Sequence, residues 1–501
     1  MICYFISLVI TFFSRKIFID QLGLNFVGLT TTLQSILSFL NLAELGVGSA
    51  IAYILYKPLF DSNISKINEL ISVFGYLYRC IGQFIIGCGI VVSLFLPLIY
   101  SETQFSLNII YFGFYAFLSS SLLGYFVNYK QTLLSADQRN YEITGYYQAV
   151  TAIKNIFQII LVNYTKNLYL YLSLEIIFSA IYSLILTWRV KKTYPWLQND
   201  VKLGKKLFKK YPEIGKYVKQ IFIHKIGAFT QQQLTPLLIY SYVSLPMVAI
   251  YGNYMLISSG ILRLTTSFLG STTAGIGNLI SEGNKQKIYD TYKELISVQL
   301  FAATFFSCCF YFLGTPFITL LFGKELVLPN IIVFFISIHL FFYLMRGATE
   351  NFVYGFGMFY DIWAPAAEIV VFVTAATILG NIYGLTGVLC GPILSLLFIV
   401  GLWRPYFLFK NGFKISVTKY WLLFLTNMLP LTISLGITML IHKHWFLAEY
   451  LDNNWTNWVI GSAAFALIFA FFSFILLYPV SSGFRQFVHR FVNIIKKRKQ
   501  A

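Results

Sequence analysis

Charged and polar residues lie inside long apolar runs, where charge is costly and is usually retained for function. His339, Tyr343, Arg346 and Glu350 are spaced four, three and four residues apart, so they share one face of a helix. Arg346 and Glu350 can pair at i, i+4, which lowers the cost of insertion. Two interpretations stay open: a functional site, with Arg346 binding substrate and His339 and Glu350 coupling an ion, or a structural ion pair beside a buried histidine.

A second polar face lies in the run 26–56. Its members are Gln34, Ser38, Asn41, Glu44 and Gly48. They fall within roughly 120° of one another at about 100° per residue, so this face contacts a water-filled cavity or another helix rather than lipid. Gln34 and Asn41 are candidate cavity residues. Glu44 has no basic partner on its own helix, so it is either protonated or paired with a cation from elsewhere. It is a further candidate ion-coupling residue.

Two cations lie close to mid-span. Lys154 and Arg263 are the main candidates for binding an anionic substrate near the bilayer midplane, and Arg79 is a candidate nearer the predicted cytoplasmic interface. The alternative is that Lys154 and Arg263 pair with membrane carboxylates and hold the two halves of the protein together. The carboxylates available for such pairs are Glu44, Glu175 and Glu368.

Enzymatic and metal chemistry have no sequence signature here. There is no phosphate-binding loop of the G-x-x-x-x-G-K-[ST] type, no loop long enough for a soluble catalytic domain, and no C-x-x-C pair among the six cysteines. We therefore predict no catalytic residues, no metal site and no cofactor. Any energy input must come from an H⁺ or Na⁺ gradient or from the gradient of the substrate itself.

The elements that position these residues follow from composition. Of 501 residues, 57% are apolar and 11% charged, with a mean hydropathy of +0.71. These values exclude a soluble protein, and continuous apolar runs exclude a barrel of alternating strands. The sequence predicts an all-α polytopic membrane protein with about fourteen helices. They are 1–19, 26–56, 69–99, 107–134, 141–163, 167–188, 217–243, 248–280, 290–321, 328–355, 361–380, 384–409, 417–441 and 456–480.

Loop charges predict the orientation. The chain has 37 Lys and Arg against 19 Asp and Glu. If both termini are cytoplasmic, 27 of these basic residues lie on the cytoplasmic side and three on the outer side, in agreement with the positive-inside rule. We predict a bacterial inner-membrane location with both termini cytoplasmic. The net charge of +18 belongs to these loops and does not indicate nucleic acid binding.

An internal repeat predicts the domain organisation. Glu69-Leu70-Ile71-Ser72-Val73 recurs as Glu294-Leu295-Ile296-Ser297-Val298, and two glycine pairs upstream agree within one residue. Two six-helix lobes related by a pseudo-two-fold axis along the membrane normal would explain this pattern. The predicted domains are an N-lobe 1–190, a basic cytoplasmic linker 191–216, a C-lobe 217–410 and two further helices with a basic tail, 411–501. The first helix is short against its repeat partner, so we expect the natural chain to begin upstream of Met1.

Three segments of the first 80 residues resemble the bacterial polysaccharide transporters (Wzx-type). They are Asn41-Leu42-Ala43-Glu44-Leu45-Gly46-Val47-Gly48-Ser49-Ala50-Ile51, Leu55-Tyr56-Lys57-Pro58-Leu59 and Tyr78-Arg79. This family comprises lipid-linked oligosaccharide flippases of the multidrug/oligosaccharidyl-lipid/polysaccharide exporter superfamily. Across the rest of the chain the resemblance consists of helix number, the six-plus-six repeat and the basic middle loop.

The resemblance implies two lobes around a V-shaped cavity that opens alternately to either side. The implied substrate is an undecaprenyl-diphosphate-linked sugar repeat unit, flipped to the outer leaflet for O-antigen, capsule or exopolysaccharide assembly. Possible partners are the polysaccharide polymerase and its chain-length machinery. Two alternatives stay open: an ion-coupled multidrug exporter of the same superfamily, and a membrane-embedded polysaccharide polymerase or ligase.

Overall fold

The computed structural model describes the backbone of residues 2–44, 47–269, 276, 279–280, 282–358, 360–444 and 454–500. Within these ranges the chain is mostly helical, with no β-strand. The all-α fold class predicted from the sequence is therefore confirmed. Leu45 and Gly46, inside the transporter-like motif, lie outside the described residues.

The chain divides into two compact units, Met1–Ala249 and Ile250–Ala501. The described residues of the first unit form ten complete α-helices. They are α1 (Ile2–Leu22), α2 (Leu24–Leu40), α3 (Val47–Phe60), α4 (Ile64–Ile99), α5 (Leu107–Phe126), α6 (Gln131–Ala136), α7 (Asn140–Thr165), α8 (Leu168–Thr193), α9 (Gly204–Phe208) and α10 (Glu213–Tyr242). Its core is a continuous cluster of aliphatic and aromatic side chains that includes Leu33, Ile71, Phe74 and Phe114.

The helix α11 (Leu245–Leu269) contains the boundary between the units. The described helices that follow it belong to the second unit. They are α12 (Lys285–Phe322), α13 (Asn330–Gly355), α14 (Trp363–Tyr383), α15 (Leu385–Leu396), α16 (Arg404–Phe407), α17 (Thr418–His444), α18 (Trp455–Val480) and α19 (Ser482–Gln500). Two π-helical segments, Leu397–Trp403 and Leu408–Phe413, make α15 and α16 parts of one continuous span.

Ten helical segments in the described ranges are long and apolar enough to cross a membrane. They correspond to predicted helices 3, 4, 6 and 8 to 14, and the chain is a multi-pass α-helical membrane protein. The other four predicted helices are also helical, at α1, α2 with α3, α7 and α10. The last two of these carry internal polar residues: Lys154 and Gln158 in α7, and Gln231 and Gln232 in α10.

The structure differs from the predicted helix 26–56 at its polar face. The helix stops at Leu40, a single 3-10 turn runs from Asn41 to Glu44, and α3 begins at Val47. Irregular backbone at this depth is tolerated where it is buried in protein or lines a cavity. The break therefore lies at the residues that the sequence selected as candidates.

The helix α10 packs inside the first unit, although the repeat assigned its residues to the C-lobe. It contacts α2 and α3, and the rings of Phe39 and Phe229 lie 6.2 Å apart. Its Tyr240 ring also stacks at 5.3 Å on that of Tyr100, which follows α4. Compact packing and sequence repeat thus divide the chain at different positions.

Candidate functional site: polar clusters within the helical units

A polar cluster surrounds the break between α2 and α3. The Oδ1 atom of Asn41 accepts hydrogen bonds from Ser121 Oγ at 2.9 Å and Tyr125 OH at 3.0 Å. Glu44 accepts a hydrogen bond from the Tyr78 hydroxyl and also interacts with the Tyr125 hydroxyl. The rings of Tyr78 and Tyr125 lie 5.5 Å apart. The 3-10 turn, α4 and α5 therefore converge on one carboxylate and one amide.

This arrangement changes the interpretation of Glu44. In the part of the chain that the structure describes, no ion pair joins Glu44 to Lys or Arg, and its recorded partners are phenol hydroxyls. Phenol hydroxyls can donate to an ionised carboxylate without neutralising it. The predicted coupling role of Glu44 stays a prediction.

The sequence did not identify the tyrosine and serine partners of this cluster. Tyr78 stands in the transporter-like motif and was the available signal, but the chain has 35 tyrosines, of which most can serve packing or the membrane interface. Gln34 is exposed on α2 and takes no recorded part in the cluster. Of the predicted polar face, Asn41 and Glu44 therefore take part in the cluster, and Gln34 does not.

Lys154 forms a tight ion pair. Its Nζ atom lies 2.8 Å from both carboxylate oxygens of Glu175, and Gln158 Nε2 donates to the same carboxylate at 2.9 Å. The Lys154 and Glu175 side chains are 19% and 13% exposed. Glu175 was one of the three carboxylates that the sequence offered as partners. The pair joins α7 to α8 within the first unit, so the predicted role of linking the two halves is wrong for Lys154.

Arg79 and Arg263 are both exposed side chains, on α4 and α11 respectively. Arg79 lies near enough to Tyr129 to act on it electrostatically. Their predicted contact with an anionic substrate stays a prediction, as does that of Lys154.

The predicted face of α13 is present in the second unit. Arg346 donates to Glu350 Oε1 from Nε at 2.9 Å and from Nη2 at 2.6 Å. Its Nη1 atom lies 4.0 Å from Glu368 on α14, and its guanidinium is 5.5 Å from the Tyr343 ring centroid. One cation thus faces two carboxylates. The His339 ring lies 6.2 Å from that of Tyr343 on the same helix.

A further buried ion pair, in the second unit, was not predicted from the sequence. Arg404, which lies inside the predicted helix 384–409, is 3% exposed and donates to Asp361 Oδ2 at 2.7 Å. Trp403 donates to the same oxygen at 3.3 Å. The span that begins at Leu385 continues as helix to Phe413, beyond its predicted end at 409.

Neither a protein-family model nor a curated protein matches the chain. Solved transporter structures do match it. The lipid II flippase MurJ, in an inward closed conformation, has a TM-score of 0.65 and 15% identity and covers 95% of this chain and 98% of its own. An inward-facing multidrug resistance MATE family transporter of the MOP superfamily has a TM-score of 0.62 and 13% identity, over 81% of this chain and 96% of that chain.

A mutant of the Vibrio cholerae MATE transporter VcmN has a TM-score of 0.54 and 13% identity, again over 81% of this chain and 95% of its own. At these identities the likeness shows the fold alone, which this chain shares with these transporters. The likeness to the flippase structure extends over nearly the whole of both chains.

Proposed function

We propose that this chain is a flippase that moves undecaprenyl-diphosphate-linked oligosaccharide repeat units from the cytoplasmic to the outer leaflet by alternating access. The observation that carries the proposal is the extent of the flippase likeness, 95% of this chain, against 81% for each drug transporter. The transporter-like segments around Asn41 and Tyr78 support the oligosaccharide-lipid class. A diphosphate and several sugars cannot cross hydrocarbon unaided, so a protein must provide a polar passage.

The charged residues take different parts in this proposal. Arg79 and Arg263, which are exposed, are candidates for binding the diphosphate. Lys154, whose ammonium contacts the Glu175 carboxylate, is a third candidate. Glu44, held by tyrosines, is the candidate for H⁺ or Na⁺ coupling, with the Arg346 and Glu350 pair and His339 as the candidates in the second unit. The proposed protein is not an enzyme and needs no cofactor.

The predicted orientation of the chain and the proposed substrate class indicate the cellular setting. The protein would lie in the bacterial inner membrane with both termini cytoplasmic. Its product would be taken up by the polysaccharide polymerase and chain-length machinery that assemble O-antigen, capsule or exopolysaccharide.

The test uses the full chain in sealed vesicles that contain a fluorescent undecaprenyl-diphosphate oligosaccharide. A membrane-impermeant reductant bleaches only the outer leaflet, so flipping raises the bleached fraction above one half. We expect flipping without ATP, and at least a tenfold slower rate for Arg263→Gln. Lys324→Gln, at an exposed lysine outside the spans, is the matched control and should flip normally. A strict ATP requirement, or no flipping by correctly inserted protein, would contradict the proposal.

A multidrug exporter is the second candidate, favoured by the two drug-transporter likenesses. The same vesicles distinguish it when they are loaded with a cationic dye under a proton or sodium gradient. Dye export with no movement of lipid-linked sugar would replace the flippase proposal with this one.

A further inference from the structure

The duplicated pentapeptide performs the same structural task in both units. In α4, Ser72 Oγ donates to the carbonyl of Asn68 at 2.7 Å, and in α12, Ser297 Oγ donates to the carbonyl of Lys293 at 2.7 Å. Both serines are buried. A basic segment that follows a membrane helix also contacts each pentapeptide. We call residues 194–212 the first basic strap and residues 481–500 the second basic strap.

The first basic strap, which follows α8, docks on α4. Its Lys210 Nζ atom lies 2.7 Å from Glu69 Oε2, and Tyr211 donates to the same carboxylate. The backbone N–H of Asp200 donates to Ser72 Oγ at 2.9 Å. Each of these three contacts uses the glutamate or the serine of the pentapeptide.

The second basic strap, which follows α18, docks on α12 through the corresponding residues. Arg490 Nη2 lies 2.8 Å from Glu294 Oε2. Ser481 Oγ donates to Ser297 Oγ at 3.1 Å. In both units, therefore, a basic side chain pairs with the glutamate and a hydrogen-bond donor contacts the serine. The two straps nevertheless have no sequence in common.

A glycine permits close approach in each strap. A Cβ atom at Gly204 would lie 2.4 Å from Tyr76 Cβ and 2.5 Å from the carbonyl oxygen of Ser72. A Cβ atom at Gly483 would lie 2.1 Å from the carbonyl oxygen of Lys293. Distances this short exclude any side chain, so each strap lies directly against the backbone of its receptor helix.

Exposed basic side chains lie on both straps. Lys202, Lys205, Lys206 and Lys209 are exposed, and the sequence has no acidic residue from 201 to 212. The second strap has no acidic residue at all and carries Arg485, Arg490 and the run Lys496-Lys497-Arg498-Lys499. Apolar side chains accompany these cations, with Leu203 53% exposed and Phe491 56% exposed.

We infer that the two basic straps bind the anionic phospholipid headgroups of the cytoplasmic leaflet, and that the duplicated pentapeptide holds them in position to do so. Each strap starts at the end of an apolar helix, at Thr193 and at Val480, which places it at the level of the membrane surface. Cations interleaved with apolar side chains, with Asp200 as the single carboxylate in the two straps, match an anionic interface. This inference does not depend on which substrate is transported.

The strength of the interaction follows from the number of cations. A lysine close to an anionic membrane surface contributes a factor of about five in affinity. Removal of two exposed lysines from the first strap should therefore weaken binding of phosphatidylglycerol about 25-fold, and salt should weaken wild-type binding, because exposed charges are screened.

The test is native mass spectrometry of the full chain, titrated in detergent with phosphatidylglycerol or with phosphatidylcholine of the same acyl chains. We compare Lys205→Gln/Lys206→Gln with the matched double variant Lys166→Gln/Lys324→Gln, which removes the same charge from exposed lysines outside the straps. A third variant that ends after Asn493 removes the basic run of the second strap. We expect the strap variants to lose phosphatidylglycerol selectively and the control to retain it.

Two results would overturn the inference. In the first, the strap variants and the control bind phosphatidylglycerol equally well. In the second, millimolar inorganic phosphate displaces phosphatidylglycerol completely, which would show a site for a soluble anion rather than for a lipid surface. Because transport is not measured, either result leaves the flippase proposal untouched.

Discussion

The ion pair between Lys154 and Glu175 allows a direct test of whether a membrane cation is structural or binds substrate. The ammonium contacts both carboxylate oxygens at 2.8 Å, and Gln158 supplies a further hydrogen bond. We consider Lys154→Met and Glu175→Met singly and together. Methionine has a similar length to either side chain and no charge, so the double variant removes the pair with little loss of packing.

The expected energies come from the burial of the pair. Loss of one partner of a buried ion pair costs about 3–5 kcal/mol, whereas replacement of both partners by apolar side chains is close to neutral. Because Lys154 is 19% exposed, water relieves part of the cost. We therefore expect each single variant to lose about 2–3 kcal/mol of unfolding free energy. The double variant should lose about 1 kcal/mol, which gives a coupling of at least ~3 kcal/mol.

The assay combines reversible unfolding in mixed detergent micelles with flipping in vesicles. If the pair is structural, both single variants lose stability and flipping together, and the double variant recovers both. If Lys154 binds the diphosphate, Glu175→Met frees the ammonium and keeps flipping, while the double variant stays inactive. Additive stability losses with no coupling would refute the structural reasoning, whatever the transport result.

Three further outcomes are expected. Arg404→Gln leaves the buried carboxylate of Asp361 without its cation and should cost about 3 kcal/mol in the same unfolding assay; a loss below ~1 kcal/mol would contradict this account. Glu44→Gln should abolish any dependence of flipping on a proton or sodium gradient, and dependence that persists would exclude Glu44 as the coupling residue. Gly483→Val should displace α19 from α12, so that hydrogen exchange of residues 482–493 becomes faster while α17 keeps its protection; unchanged exchange would argue against close docking.

Features that depend on local spacing were predictable from the sequence. The membrane class follows from apolar runs longer than about 20 residues, a length that the bilayer dictates. The Arg346–Glu350 pair was foreseen because residues four apart on one helix are always neighbours. The pentapeptide repeat was visible as a string, but its task was not, since its partners are straps with no common sequence.

Contacts between helices were decided by the tertiary structure alone. The sequence offered three carboxylates as partners for Lys154, and only the packing of α7 on α8 identified Glu175 as its partner. Asn41 meets Ser121 and Tyr125 because α5 crosses the break after α2. Helical periodicity depends only on the order of residues along the chain, and so the sequence determined which helix faces are polar. The rotation and depth at which two helices pack depend on all their side chains together, and so only the folded protein determined which polar residues meet.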